Sequence, residues 1–152
     1  MIILRSLVSI AILPGIALVL LPWLIVRGTP LSAFAWIGAL PLAVGLALSI
    51  WCVTEFARRG RGTPAPWDAP RRFVASGPYR FVRNPMYLAG ASVVLGEAVA
   101  FGSLGLLIYL VALIAVWHAF VVLYEEPTLS RQFGADYALY RTRVHRWVPT
   151  IP

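Results

Sequence analysis

Four long apolar runs decide what this chain can fold into. They extend over residues 6–26, 31–54, 86–100 and 104–123. About 20 apolar residues in a helix span the roughly 30 Å of bilayer hydrocarbon, and 60% of this chain is hydrophobic against 12% charged. We predict one all-α integral membrane domain with four transmembrane helices. Because the first run is longer than a signal-peptide core and lacks a cleavage pattern, we predict that it stays in the protein as a helix.

Two of these runs carry finer signals. The third has 15 residues, which rise only about 22 Å in a helix. It predicts either a short, tilted half of a hairpin closed at residues 101–103 or a re-entrant segment buried by its neighbours. In the second run alanine recurs every four positions, at Ala35, Ala39, Ala43 and Ala47. We predict that this stripe of small side chains packs closely against a neighbouring helix.

The basic residues predict the orientation in the membrane. All 13 are arginine, and four crossings would place 12 on one side and Arg27 alone on the other. Arginine concentrates in cytoplasmic segments, so we predict that both termini and a loop at residues 57–85 are cytoplasmic. Topology thereby accounts for the net charge of +7, and we predict no nucleic-acid partner.

The chain has a single cysteine, Cys52. It excludes an internal disulfide and a metal site built from several cysteines. Its apolar surroundings in the sequence predict a buried, unreactive thiol, and we predict no metal site.

The segment before the third run predicts a helix start that faces the cytoplasm. Asn84 followed by Pro85 is typical of an N-cap and the first helical position. Free backbone N–H groups at such a terminus bind anions, and neighbouring arginines such as Arg80 and Arg83 would reinforce the site. The alternative is a capped membrane helix whose arginines contact lipid phosphates.

Two adjacent acids, Glu125 and Glu126, follow the fourth run, and Pro127 comes next. The proline predicts that the fourth helix ends or kinks there. Carboxylates at the hydrocarbon edge are costly unless they meet cations or a watery cavity. They predict either solvated interfacial charges or, on the arginine-rich side, part of a cleft that holds a zwitterion. His118 lies on the same helix face as Glu125, two turns deeper, and either contacts a ligand or forms a hydrogen bond within the bundle.

An amphipathic helix is predicted over residues 127–143, at the cytoplasmic ends of the bundle. Its apolar positions recur at helical spacing, at Leu129, Phe133, Tyr137, Tyr140 and Val144. We interpret this stripe as a packing surface that covers the cleft.

Several short motifs occur together in the second half of the chain. They are Gly77-Pro78-Tyr79, Arg83-Asn84-Pro85-Met86-Tyr87, Glu125-Glu126, Phe133-Gly134-Ala135-Asp136-Tyr137-Ala138-Leu139-Tyr140 and Val144-His145-Arg146-Trp147-Val148-Pro149. As a set, the region from Arg71 to Pro149 resembles the isoprenylcysteine carboxyl methyltransferase and phospholipid methyltransferase family. The resemblance implies an integral membrane enzyme that binds S-adenosylmethionine in a cytoplasmic pocket and methylates a lipophilic acceptor from the bilayer.

The resemblance also implies roles for individual residues. The cofactor contacts would be Phe73, Val74, Tyr79, Asn84, Pro85, Met86, Tyr87 and Glu125. Glu126 or His118 would accept a proton if the acceptor is an amine or a thiol. A mixed site of this kind fits a cofactor with a carboxylate, an ammonium and a sulfonium group.

Two positions depart from the family pattern. Asn84 stands where many relatives have histidine, and Val121 where the prenylcysteine enzymes place an arginine for the substrate carboxylate. We therefore do not predict prenylcysteine as the substrate, and the acceptor stays open between carboxylate, amine and thiol, as does the oligomeric state. The alternative functions are an NADPH-dependent membrane reductase of the sterol reductase type and a small lipid-binding membrane protein without catalysis.

Overall fold

In a computed structural model of the protein, residues 13–60 and 73–150 are described. The helices are α1 (Leu13–Val26), α2 (Ala35–Glu55), α3 (Pro85–Phe101), α4 (Leu104–Phe120) and α5 (Glu126–Arg143). No strand occurs in these two ranges. The start of the predicted first helix and residues 61–72 of the predicted 57–85 loop lie outside the described residues.

Two helical stretches are long and apolar enough to cross a membrane, at Ala35–Arg58 and Leu104–Arg143. The first is α2 with the beginning of a π-helical continuation, which extends over Phe56–Gly60. The second joins α4 to α5. Two shorter apolar helices, α1 and α3, accompany them. The structure thus has the all-helical, membrane-type architecture that the sequence predicts, while the count of four crossings remains a prediction.

Helices α2 and α3 pack at backbone distance. A Cβ atom added to Gly96 would lie 2.7 Å from the carbonyl oxygen of Gly38, and one added to Gly45 would lie 2.6 Å from that of Ala89. Only glycine permits such an approach. Three of the four buried residues of α2 recur every seven positions, at Gly38, Gly45 and Cys52, and the fourth is Glu55 near its end.

The alanine stripe of α2 does not form this contact. Ala39, Ala43 and Ala47 are exposed in the described part of the chain. The prediction that the stripe carries the helix packing is therefore wrong for α2 on α3. The physical reason is that backbones in contact leave no room even for a methyl group, so glycine marks the interface and alanine falls on the outer face.

The end of the fourth apolar run also differs from the prediction. Regular helix ends at Phe120, and a π-helical segment, Val121–Glu125, leads directly into α5. Pro127 does not end the helix: the helical stretch continues from Leu104 through Pro127 to Arg143. The backbone leaves helical geometry later, at Gly134, with φ 49° and ψ −118°.

The predicted apolar stripe of α5 is its better buried side. Tyr137 is 3% exposed, and the following Val144 is 6% exposed, while Arg131, Asp136 and Arg141 are exposed. The Phe73 ring packs against the rings of Phe133, Tyr137 and Tyr140. The stripe therefore packs against Phe73, in the segment before α3. Its relation to the membrane surface remains a prediction.

Candidate active site

A cavity of about 120 Å³ lies where the end of α2, the segment before α3 and the junction of α4 with α5 meet. Its lining includes the predicted site residues Phe73, Val74, Tyr79, Asn84, Tyr87, Glu125 and Glu126. Residues far apart in the chain thus come together around one space. The lining also contains residues to which the sequence assigned no cofactor contact, among them Phe56, Arg83, Tyr124, Gln132 and Tyr140.

Three predicted site residues do not line this cavity. Pro85 is buried as the first residue of α3. Met86 packs against the core of Cys52, Val74 and Tyr79 beneath the cavity. His118 is exposed on α4, where its Nδ1 accepts a hydrogen bond of 3.1 Å from Trp147 Nε1. His118 is therefore hydrogen-bonded outside the cavity, and its contact with a ligand remains a prediction.

Tyr79 is positioned by a short 3₁₀ turn, Gly77–Arg80. Ser76 Oγ donates a hydrogen bond of 2.5 Å to Glu55 Oε1 at the end of α2. A Cβ atom on Gly77, whose φ is +59°, would lie 3.0 Å from Glu55 Cγ. Glu55, 8% exposed, thus fixes the turn that presents Tyr79. Sequence reasoning missed this residue because it lies 21 positions before Ser76.

Glu125 is the carboxylate in this cavity that can still accept hydrogen bonds from a ligand. Its Oε2 accepts a hydrogen bond of 2.9 Å from the Tyr87 hydroxyl. Within residues 13–60 and 73–150, no arginine forms an ion pair with it. Burial raises the pKa of Glu125, the charge of Glu126 raises it further, and the Tyr87 hydrogen bond offsets part of this rise. A cation entering the cavity would relieve this cost of burial.

Glu126, the next residue, is surrounded by arginines instead. Its Oε1 lies 2.9 Å from Arg83 Nη1 and 2.7 Å from Arg146 Nε, and Oε2 lies 3.9 Å from Arg141 Nη2. Arg146 Nη2 completes a two-pronged contact at 3.0 Å. Burial alone would raise the pKa of Glu126, but the Arg146 hydrogen bond and the three arginine charges hold it below its usual range. These contacts favour the carboxylate form of Glu126, and its role as a proton acceptor remains a prediction.

Arg83 and Asn84 complete the wall that precedes α3. Arg83 Nε and Nη1 are buried without a hydrogen-bond partner of good geometry in the described part of the chain, although Nη1 pairs electrostatically with Glu126. Nε can therefore donate to an anionic group. Asn84 occupies the predicted N-cap position but makes no capping hydrogen bond. Its Nδ2 donates instead to the carbonyl oxygen of Arg146, at 3.1 Å.

Aromatic rings form much of the remaining lining. Phe56 meets Tyr79 edge to face at 5.1 Å between centroids, and the Tyr140 hydroxyl donates a 2.6 Å hydrogen bond to the Tyr79 carbonyl oxygen. Sequence reasoning treated Tyr140 only as a packing residue. Its place in the lining comes from the way α5 folds back over the turn at Tyr79.

The state of Glu126 predicts a dependence of stability on pH. Because folding lowers the pKa of this carboxyl, its contribution is complete above the ordinary value of 4.5 and is lost as the pH falls through the lower folded-state value. We expect Glu126→Gln to lower the melting temperature at neutral pH and to flatten its decline between about pH 6 and pH 3. Thermal unfolding of detergent-purified protein across this range measures both effects. A variant that melts with the pH profile of the original chain would contradict the assignment.

The comparison with protein families accords with this site. The model of the phospholipid methyltransferase family matches residues 33–136, a region that contains α2, α3, α4 and the first half of α5. The match begins well before Arg71, so the family pattern extends further towards the N-terminus than the motifs do. Comparison with curated proteins and with solved structures gave no significant match. Since the matched region is more than half of the 152 residues and confirms the resemblance carried by the motifs, the chain belongs to the phospholipid methyltransferase family.

Proposed function

We propose that this membrane protein transfers a methyl group from S-adenosylmethionine to a lipophilic acceptor, with the cofactor held in the cavity around Glu125. The observation that carries the proposal is the contrast between two adjacent carboxylates. Glu126 is neutralised by three arginines, whereas Glu125 enters the same cavity with only a neutral Tyr87 hydroxyl as its described hydrogen-bond partner. A partly buried carboxylate with no cationic partner among the described residues favours a ligand that brings a positive charge.

The donor set fits this cofactor. S-adenosylmethionine carries positive charge on its ammonium and sulfonium groups, negative charge on its carboxylate, and an adenine ring. The cavity offers the Glu125 carboxylate, the Arg83 guanidinium, whose Nε has no hydrogen-bond partner among the described residues, and aromatic rings such as Phe73 and Tyr79. Charged and polar groups for the amino-acid end and rings for the base are thus all present in one lining.

The chemistry that we propose needs positioning more than proton transfer. When bound, S-adenosylmethionine supplies an electrophilic methyl group on its sulfonium centre. Residues of this chain would bind and orient the donor through Glu125 and Arg83, and the aromatic lining would exclude water, which are the effects that dominate such a displacement. An ion-paired Glu126 is compatible with this mechanism, since a strong base is not required for it.

The surroundings of the cavity favour a lipid-type acceptor. Leu123 is 77% exposed and Tyr124, which also lines the cavity, is 48% exposed. Exposed apolar side chains beside a polar cavity suit a substrate with a hydrocarbon tail and a nucleophilic head. We propose that the head enters beside Tyr124 while the tail stays in the bilayer, with the cavity and both termini on the cytoplasmic side and four helices crossing.

Ligand binding by the detergent-purified protein tests this function. We expect S-adenosylhomocysteine to bind in calorimetry and to raise the melting temperature, because a ligand at about 100 times its Kd adds about 2.7 kcal/mol to the folded state. NADPH at the same concentration serves as the control and should do neither. Stabilisation by NADPH alone would favour a reductase, and binding of neither ligand would favour a non-catalytic lipid-binding protein; both results would contradict the proposal.

A further inference from the structure

The residues after α5 form a strap, 144–150, that returns across the segment before α3. The Arg83 amide donates a 2.9 Å hydrogen bond to the His145 carbonyl oxygen, and the Thr150 amide donates one of 2.6 Å to that of Phe81. Backbone hydrogen bonds therefore tie the two segments together near both ends of the strap. The strap is also held from the side, because Trp147 Nε1 donates to His118 on α4.

Arg146, in the middle of the strap, contacts both walls of the cavity. Its guanidinium donates hydrogen bonds of 2.7 and 3.0 Å to the Glu126 carboxylate, and its carbonyl oxygen accepts the 3.1 Å hydrogen bond from Asn84. Glu126 adjoins Glu125 on one wall. Asn84 precedes α3, which carries Tyr87, the hydroxyl donor to Glu125. One residue outside the lining thus joins the two segments that meet at Glu125.

We propose that Arg146 is a positioning residue that sets the separation of these two walls and thereby the affinity for the cofactor. The inference rests on the proposed function, since it concerns the affinity of the same cavity for the cofactor. Arg146 acts through Glu126 and Asn84 and does not itself contact the cofactor. The sequence motif Val144-His145-Arg146-Trp147 thereby acquires a physical role.

The geometry of the contact explains why arginine is needed. A planar guanidinium can engage both oxygens of one carboxylate and so fixes direction as well as distance. Lysine would keep the charge but lose this fork. The Glu126 side chain is only 8% exposed, so water replaces the missing donor poorly. Without the two hydrogen bonds from Arg146, Arg83 would be the remaining arginine that links Glu126 to the segment before α3. The strap would then no longer be bound to the helical stretch that contains Glu125 and Glu126.

Substitutions at positions 146 and 126 test the proposal through the affinity for S-adenosylhomocysteine. We expect Arg146→Gln to weaken binding about tenfold, the scale of a residue that acts through its neighbours, and Arg146→Lys to recover part of the loss. Glu126→Gln should weaken binding as well, and the double variant should bind no more weakly than the worse single variant. The matched control is Arg143→Gln, which removes an exposed arginine three residues away and should leave the affinity unchanged.

A second measurement separates positioning from general stability. Affinities are taken well below the melting temperature of each variant, where a residue that only stabilised the fold would leave Kd unchanged. Hydrogen exchange at the Arg83 and Thr150 amides should accelerate in Arg146→Gln but not in Arg143→Gln. An original chain that binds no S-adenosylhomocysteine would refute the proposed function. If the wild-type protein binds S-adenosylhomocysteine, two results would refute only the role of Arg146. One is equal affinity of Arg146→Gln and the wild-type protein, and the other is unchanged hydrogen exchange in Arg146→Gln.

Discussion

Glu125→Gln is expected to weaken the binding of S-adenosylhomocysteine about 10- to 100-fold, the usual effect of losing a hydrogen bond to a charged group. Glutamine keeps the size of the side chain and an oxygen for the Tyr87 hydroxyl, which now donates to Oε2 at 2.9 Å. What it removes is the negative charge that no described arginine neutralises. The variant should therefore stay folded and lose specifically the attraction for the ligand ammonium group.

Calorimetric titration, with the melting temperature recorded in parallel, measures this effect. Asp136→Asn is the matched control because it removes one carboxylate from an exposed position of α5 that does not line the cavity. Its affinity should equal that of the original chain. Equal affinity of Glu125→Gln and the original chain would remove Glu125 from the site. A variant that fails to fold would instead show that burial of this carboxylate serves the structure.

Gly96→Ala is expected to destabilise the helix pair that supports the site. The added methyl group would lie 2.7 Å from the Gly38 carbonyl oxygen and 2.7 Å from the Leu42 amide nitrogen. Both are backbone atoms, so relief requires α2 and α3 to separate. Overpacking of this kind costs about 1–3 kcal/mol and occasionally more. We expect a clear fall in the melting temperature in detergent and a reduced yield of folded protein.

Gly15→Ala provides the matched control for this substitution. Gly15 is also helical, but a Cβ atom there would meet nothing within 4 Å among the described residues. Both substitutions gain the same intrinsic helix propensity, up to about 1 kcal/mol, so their difference reports the interhelical contact. Gly15→Ala should melt at or slightly above the temperature of the original chain. Equal melting of the two variants would show that α2 and α3 do not approach as closely as described.

Much of the site was predictable because its residues occur in local motifs. Asn84-Pro85 begins α3 as expected from the fixed φ of proline and its missing donor. Glu125 and Tyr87 lie in the cavity, as the family resemblance implied. Arg146 also belongs to a motif, but its partner Glu126 is 20 residues away in the chain. The sequence therefore did not predict the contact that defines the role of Arg146.

The sequence by itself predicted the membrane-type, all-helical architecture of this protein. The length and apolarity of the runs predict helices in lipid, where the backbone polar groups must be satisfied within each segment. Only the tertiary structure showed which side chains Glu125 and Glu126 each contact. Neighbours on a helix point about 100° apart, so the Glu125 carboxylate meets Tyr87 while the Glu126 carboxylate meets the arginines. The partners of each acid, which decide its charge state and its role, come from distant parts of the chain.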